Sequence, residues 1–115
     1  VSISPAHADA FYTEVLRSET VWGIRDADGF PAPESGGHRA MPFWSAESRA
    51  QRIIEQVEAY RGFEVVSLPL DVWRSRWMPG LAKDGLLVGL NWSGTSATCY
   101  DVTPADAEAA LVART

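Results

Sequence analysis

The sequence predicts an α+β domain, a mostly antiparallel sheet covered by helices, in the order α-β-β-α-β-α-β-β-α. Segments with apolar residues at helical spacing are separated by short β-rich runs. Turn pairs such as Asp28-Gly29 and Ser93-Gly94 imply hairpins, and strands in hairpins beside segregated helices favour antiparallel pairing with the helices on one face. The 115 residues are 46% hydrophobic and 22% charged, ordinary for a globular domain. A chain this long buries about two-thirds of its unfolded surface, so no disulfide or metal is needed for folding. With no repeat, linker or low-complexity segment, residues 1–115 read as one globular domain.

Ser4-Pro5 starts a helix over residues 5–17, with Ala8, Phe11, Val15 and Leu16 on one face. Residues 20–25 are β-rich and run into the Asp26-Ala27-Asp28-Gly29 reversal. A loop with two prolines and two glycines follows over residues 30–37, and residues 38–44 resume an extended pattern, so these two strands are expected to pair as a hairpin with a long tip. Ser45 caps the next helix, in which Ala46, Ala50, Ile53, Ile54, Val57 and Tyr60 share a face until Gly62 stops it. Its other face carries Glu47, Arg49, Arg52, Glu55 and Glu58, a solvated surface on which Arg52 or Gln51 reaches Glu55.

Residues 63–68 form a buried strand, and Pro69 opens a short helix with Leu70, Trp73 and Trp77 on one side, ended by Pro79-Gly80. The apolar run 86–92 reads as a central strand covered on both faces, with 95–102 returning beside it. Thr103-Pro104-Ala105-Asp106 combines a cap, a first-turn proline and an acid near the positive helix end, and launches a helix to Ala113.

The formal charge of -5 repels phosphate backbones and anionic lipid, so neither nucleic acid nor membrane is an expected partner and a basic or neutral protein is favoured. Cys99 is the only cysteine, which excludes an intrachain disulfide and suits a cytoplasmic location. No apolar run reaches the ~18 residues of a membrane span, and residues 1–16 lack the cationic start and apolar middle of a signal peptide. His7, His38 and Cys99 are too dispersed for a structural zinc site. With Gly29 as the bend of a calcium loop, the first and last ligand positions would fall on Ile24 and Ser35, which supply no carboxylate. The glycines lack phosphate-cradling spacing, and Trp92-Ser93-Gly94-Thr95-Ser96 has one glycine where a hydrolase elbow needs two. No metal, cofactor or catalytic residue is assigned.

The candidate ligand- or partner-binding residues are His38, Arg39, Asp28 and Trp92. His38 and Arg39 stand where the loop enters a strand, placed to converge on an anionic ligand or acidic partner, with Asp28 as a possible proton acceptor nearby. Of the five tryptophans most belong to the core; Trp92, beside a hairpin tip, is the one expected to be partly exposed. Trp73 and Trp77 either seal the sheet or leave one ring at a groove. His7 reads as a surface or capping residue and Cys99 as an inert core thiol.

Val21-Trp22, Asp28-Gly29 and Met41-Pro42-Phe43-Trp44 leading into Ala46, Glu47 and Ala50 are landmarks at characteristic distances. With Trp73, Trp77, Pro79, Leu81, Asp84-Gly85 and Val88-Gly89 they resemble the bacterial family catalogued as domain of unknown function 2750, over most of residues 5–111. The resemblance implies a small bacterial protein of one domain, and it brings no activity, cofactor or catalytic residue with it.

Three functions fit these residues. The favoured one is a noncatalytic protein-binding module of immunity or adaptor type, using an acidic surface and exposed aromatics. The others are a small-molecule binder or enzyme with a tryptophan-lined pocket near His38 and Arg39, and a self-associating structural subunit.

Overall fold

Val21 and Ile24 are fully buried, and the strand that carries them, β1 (Thr20–Arg25), is held by a partner distant in sequence. β1 pairs antiparallel with β4 (Glu64–Pro69), Trp22 opposite Ser67 and Arg25 opposite Glu64, whose side chains form an ion pair at 2.9 Å. The structure, a computed structural model, describes residues 4–35, 37–94 and 98–115. The side chains of residues 4–7, 35, 98 and 99 lie outside that description, and the readings of His7 and Cys99 fall there.

The hairpin expected between residues 20–25 and 38–44 does not form as a ladder. The reversal itself is present: the amides of Asp26 and Gly29 each donate to the other's carbonyl, at 3.1 and 3.0 Å. Beyond it the chain makes a second small reversal, β2 (Glu34–Ser35) against β3 (His38–Phe43). β3 meets β1 only at a bridge between Trp22 and Trp44, each amide donating to the other's carbonyl at 2.8 Å. The other edge of β3 pairs in parallel with β5 (Leu87–Ser93), a pairing that needs a long crossover, here the whole stretch from α2 to α4. β6 (Thr98–Val102) returns antiparallel to β5, giving the order β2-β3-β5-β6 beside the β1–β4 pair. All these ladders except β3–β5 are antiparallel, as the α+β class requires.

Helices cover both faces, where one was expected. On one side α1 (Ser4–Ser18), the helical run from Leu70 to Lys83 and α5 (Pro104–Ala113) enclose Phe11, Val15, Trp73, Val88 and Leu111. On the other, α2 (Glu47–Gln56) and the 3-10 turn Glu58–Tyr60 enclose Ile24, Ala40, Trp44, Ile53 and Trp92. The reason is in β3 and β5, which are apolar on both sides of the pleat: Phe43 and Leu90 enter the first core, Ala40 and Leu87 the second. The central position expected for residues 86–92 is met.

Local chemistry explains the helix ends. Thr103 caps α5, its hydroxyl accepting from the Asp106 amide at 3.0 Å. Ser45 does not cap α2; the cap position is Ala46, which offers no side-chain acceptor, and the Ser45 side chain is engaged elsewhere. The helix expected to end at Pro79-Gly80 continues instead. α3 (Leu70–Val72) widens into a π-helical turn, Trp73–Trp77, and Pro79 then falls in the first turn of α4 (Met78–Lys83), where a missing amide costs least. Gly85, at φ 71°, makes the left-handed stop.

Candidate functional site

The four sequence-predicted site residues do not gather in one place. Adjacent residues on a strand face opposite ways, so His38 looks toward the α2 side of the sheet with Ala40 and Arg39 toward the other with Met41. Arg39 Nε donates to the Ala32 carbonyl at 2.9 Å, fastening the loop before β2. Asp28 sits exposed at the tip of the Asp26–Gly29 turn, its amide held by the Asp26 carboxylate at 2.9 Å. Trp92 is buried, which corrects the expectation of exposure. Its indole Nε1 donates to Asp101 Oδ1 at 2.8 Å, and the second oxygen of that carboxylate lies 3.7 Å from His38 Nε2. Asp101, absent from the sequence-level candidates, thus joins Trp92 and His38 in one chain of contacts.

Trp73 and Trp77 divide between the core and a surface hollow. Trp73 is fully buried against Phe11 and Phe43, while Trp77, stacked edge-on against Phe30, lines a hollow of about 290 Å³ with Met41, Arg76, Leu81, Asp84 and Leu86. One ring of the pair seals the sheet and the other borders a groove. His38 and Arg39 are not among the residues lining that hollow.

The most convergent polar geometry on the first face is a cleft of about 440 Å³ between α1, β6 and α5. Tyr12 and Asp9 come from α1, Tyr100 and Val102 from alternate positions of β6, and Asp106 and Arg114 from α5 and its end. The Arg114 guanidinium stands 4.8 Å from the Tyr12 ring centroid and its Nη2 lies 2.8 Å from Asp9 Oδ1. Burial raises the Tyr12 hydroxyl above its ordinary pKa; Tyr100 and Asp106 push the same way, and Arg114 opposes them. Tyr100 is 38% exposed, one of two large hydrophobic residues exposed among the described residues.

A family model described as "Protein of unknown function (DUF2750)" matches residues 8–111, nearly the whole chain. The chain belongs to the DUF2750 family. No curated protein matches it.

On the other side of this DUF2750 protein a polar network joins α1 to the start of α2. Arg49 grips Glu14 through Nε at 3.2 Å and Nη2 at 3.0 Å, and the Ser45 hydroxyl donates to the same carboxylate. Asn91 Oδ1 accepts from the Ser45 amide at 2.9 Å. The hydrogen bond from Arg49 holds the Glu14 carboxyl below its ordinary pKa, against the effect of burial. Ser45 is only 4% exposed, and its bond to Glu14 braces α1 against the start of α2. Among the described residues no three or more His, Cys, Asp or Glu side chains cluster to hold a metal ion. Among them also, no helix is long and apolar enough to cross a membrane.

The tyrosine cleft escapes sequence reading because Asp9, Tyr12, Tyr100, Asp106 and Arg114 come from opposite ends of the chain. Tyr100 gives the one local signal, an aromatic on a strand that the sheet order places at an edge.

Proposed function

We propose that this DUF2750 protein is a noncatalytic binding module that takes a basic segment of a partner protein into the cleft between α1, β6 and α5. The observation that carries this reading is Arg114, whose guanidinium already lies over Tyr12 and against Asp9, so the cleft offers a cation both an aromatic face and a carboxylate. Asp106 and the exposed ring of Tyr100 line the same cleft and offer a second, unfilled position of the same kind. The formal charge of -5 draws a basic partner from a distance. Among the described residues β6 pairs only with β5, so its outer edge can accept an extended segment as an added strand, with side chains directed into the cleft.

Equal-length synthetic peptides rich in Lys and Arg, or in Asp and Glu, test the proposal by calorimetric titration at two salt concentrations. The basic peptides bind saturably and more weakly as salt rises, and the acidic ones do not bind. Tyr100→Ala and Asp106→Asn each weaken binding by roughly three- to tenfold, the worth of one aromatic or charge contact. Arg114→Ala removes the internal occupant and tightens it. Equal binding of both peptide classes, or no change in the Tyr100 and Asp106 variants, overturns the reading.

A further inference from the structure

We propose that the groove between α1 and α2 is a second ligand site, independent of the tyrosine cleft, which binds a phosphate dianion, free or as the end group of a small ester. The groove has a volume of about 560 Å³. Arg17 from α1 and Arg49 and Arg52 from α2 line it, with Ser18, Ser48 and one carboxylate, Glu14. Three of the ten basic residues of an acidic chain therefore face one concavity, against the field of the rest of the molecule.

The charges are already sorted. Arg49 is taken by Glu14 through two nitrogens, and the Ser45 hydroxyl donates to the same carboxylate oxygen as Arg49 Nε. Arg17 adds to the positive field at Glu14 without bonding to it, and neither Arg17 nor Arg52 makes a hydrogen bond or ion pair among the described residues. Two unsatisfied guanidiniums match a dianion, whereas a single carboxylate would leave one of them unmatched. The hydroxyl of Ser48, exposed in the same groove, adds a neutral donor. A polyanion is disfavoured because the field outside the groove repels it.

The test is titration of the whole chain with inorganic phosphate, phenyl phosphate and acetate at constant ionic strength, followed by calorimetry and by thermal midpoint. Phosphate and phenyl phosphate bind at one saturable site and raise the midpoint, and acetate, a single carboxylate, binds at least about tenfold more weakly. Tighter binding of phenyl phosphate assigns an ester as the ligand; equal binding assigns the free ion. Arg17→Gln and Arg52→Gln each weaken binding by about tenfold or more, the worth of a hydrogen bond to a charged group. Both side chains are exposed, so the variants retain the thermal midpoint of the unliganded protein. Binding of phenyl phosphate also weakens as pH falls through the second ionisation of the monoester near ~6. Equal binding of acetate, a midpoint rise matched by chloride, or phosphate binding that survives in the double variant overturns the proposal. None of these outcomes depends on the tyrosine cleft.

Discussion

Trp92 lies flat over Gly89 and donates its indole hydrogen to Asp101, the residue paired with Gly89 across the β5–β6 ladder. Residues three apart on a regular strand face opposite sides. These two share a side because β5 spends three steps from Leu90 to Ser93 while β6 spends two from Tyr100 to Thr98, a bulge of one residue. Asn91 takes up the bulge at φ 52°. The residue is then held at two points, since the Trp92 backbone carbonyl accepts from Trp44 Nε1 at 2.8 Å.

Gly89→Ala is accordingly destabilising for steric reasons alone. A Cβ at this position would stand 2.5 Å from the indole Cε2 and Nε1, and a ring hydrogen-bonded to Asp101, on a residue whose backbone carbonyl is held by Trp44, cannot retreat cheaply. Overpacking of this kind costs about 1–3 kcal/mol. Thermal denaturation should show a midpoint lowered by roughly 5–15 °C. An unchanged midpoint would mean that the ring is free to move.

At Asn91 the order of two variants is the informative quantity. The side chain is 2% exposed and its Oδ1 accepts from the Ser45 amide, so both Asn91→Ala and Asn91→Gly lose that bond. Only alanine also suffers the left-handed backbone, at about 1–2 kcal/mol. Chemical denaturation is expected to rank wild type above Asn91→Gly and Asn91→Gly above Asn91→Ala; the reverse order would remove backbone strain from the account.

The bulge marks where the sequence stops being readable. Spacing and caps place α1, the first three turns of α2, β4, β5 and α5 within a residue or two, because those signals are local. The partner of β1 is a long-range choice that residues 20–25 do not encode: β4 wins over β3, and a Trp22–Trp44 bridge is what remains of the expected hairpin. Trp92 looks like a hairpin-tip residue until the extra step at Asn91 turns it inward. Arg49 and Arg52 look like part of a mixed-sign solvated face. Gln51 and Glu55 do pair there, at 3.4 Å, but Arg49 and Arg52 line a groove completed by Arg17 from α1, an approach that helical periodicity cannot reveal.

Trp44 and Trp73 are both fully buried, yet among the described residues only Trp44 has a partner for its indole hydrogen. Trp44 Nε1 donates to the Trp92 carbonyl, whereas Trp73 Nε1 is buried without a hydrogen bond among the described residues. Phenylalanine leaves a similar cavity at either site, so the difference between the two variants isolates the polar term. Trp44→Phe orphans a buried carbonyl and Trp73→Phe relieves an orphaned donor, so Trp44→Phe should be more destabilising by about 1–3 kcal/mol. Equal losses in urea denaturation would show that Trp73 has a polar partner.

Glu14 and Glu108 set the acid limb of stability. Hydrogen bonds from Arg49 and Arg74 hold the two carboxyls below their ordinary values, with burial opposing in each case. In acid the unfolded chain therefore binds more protons than the folded one. The stabilisation is complete above the unfolded carboxylate value near ~4.3 and is lost as pH falls through the lower folded values. Both pairs are partly exposed, which limits each to about 0.5–1 kcal/mol. Glu14→Gln and Glu108→Gln lower the urea midpoint at pH 7, and their deficit against wild type shrinks steadily below pH ~4. Parallel wild-type and variant curves down to pH ~2 would show that these ion pairs contribute nothing to the acid limb.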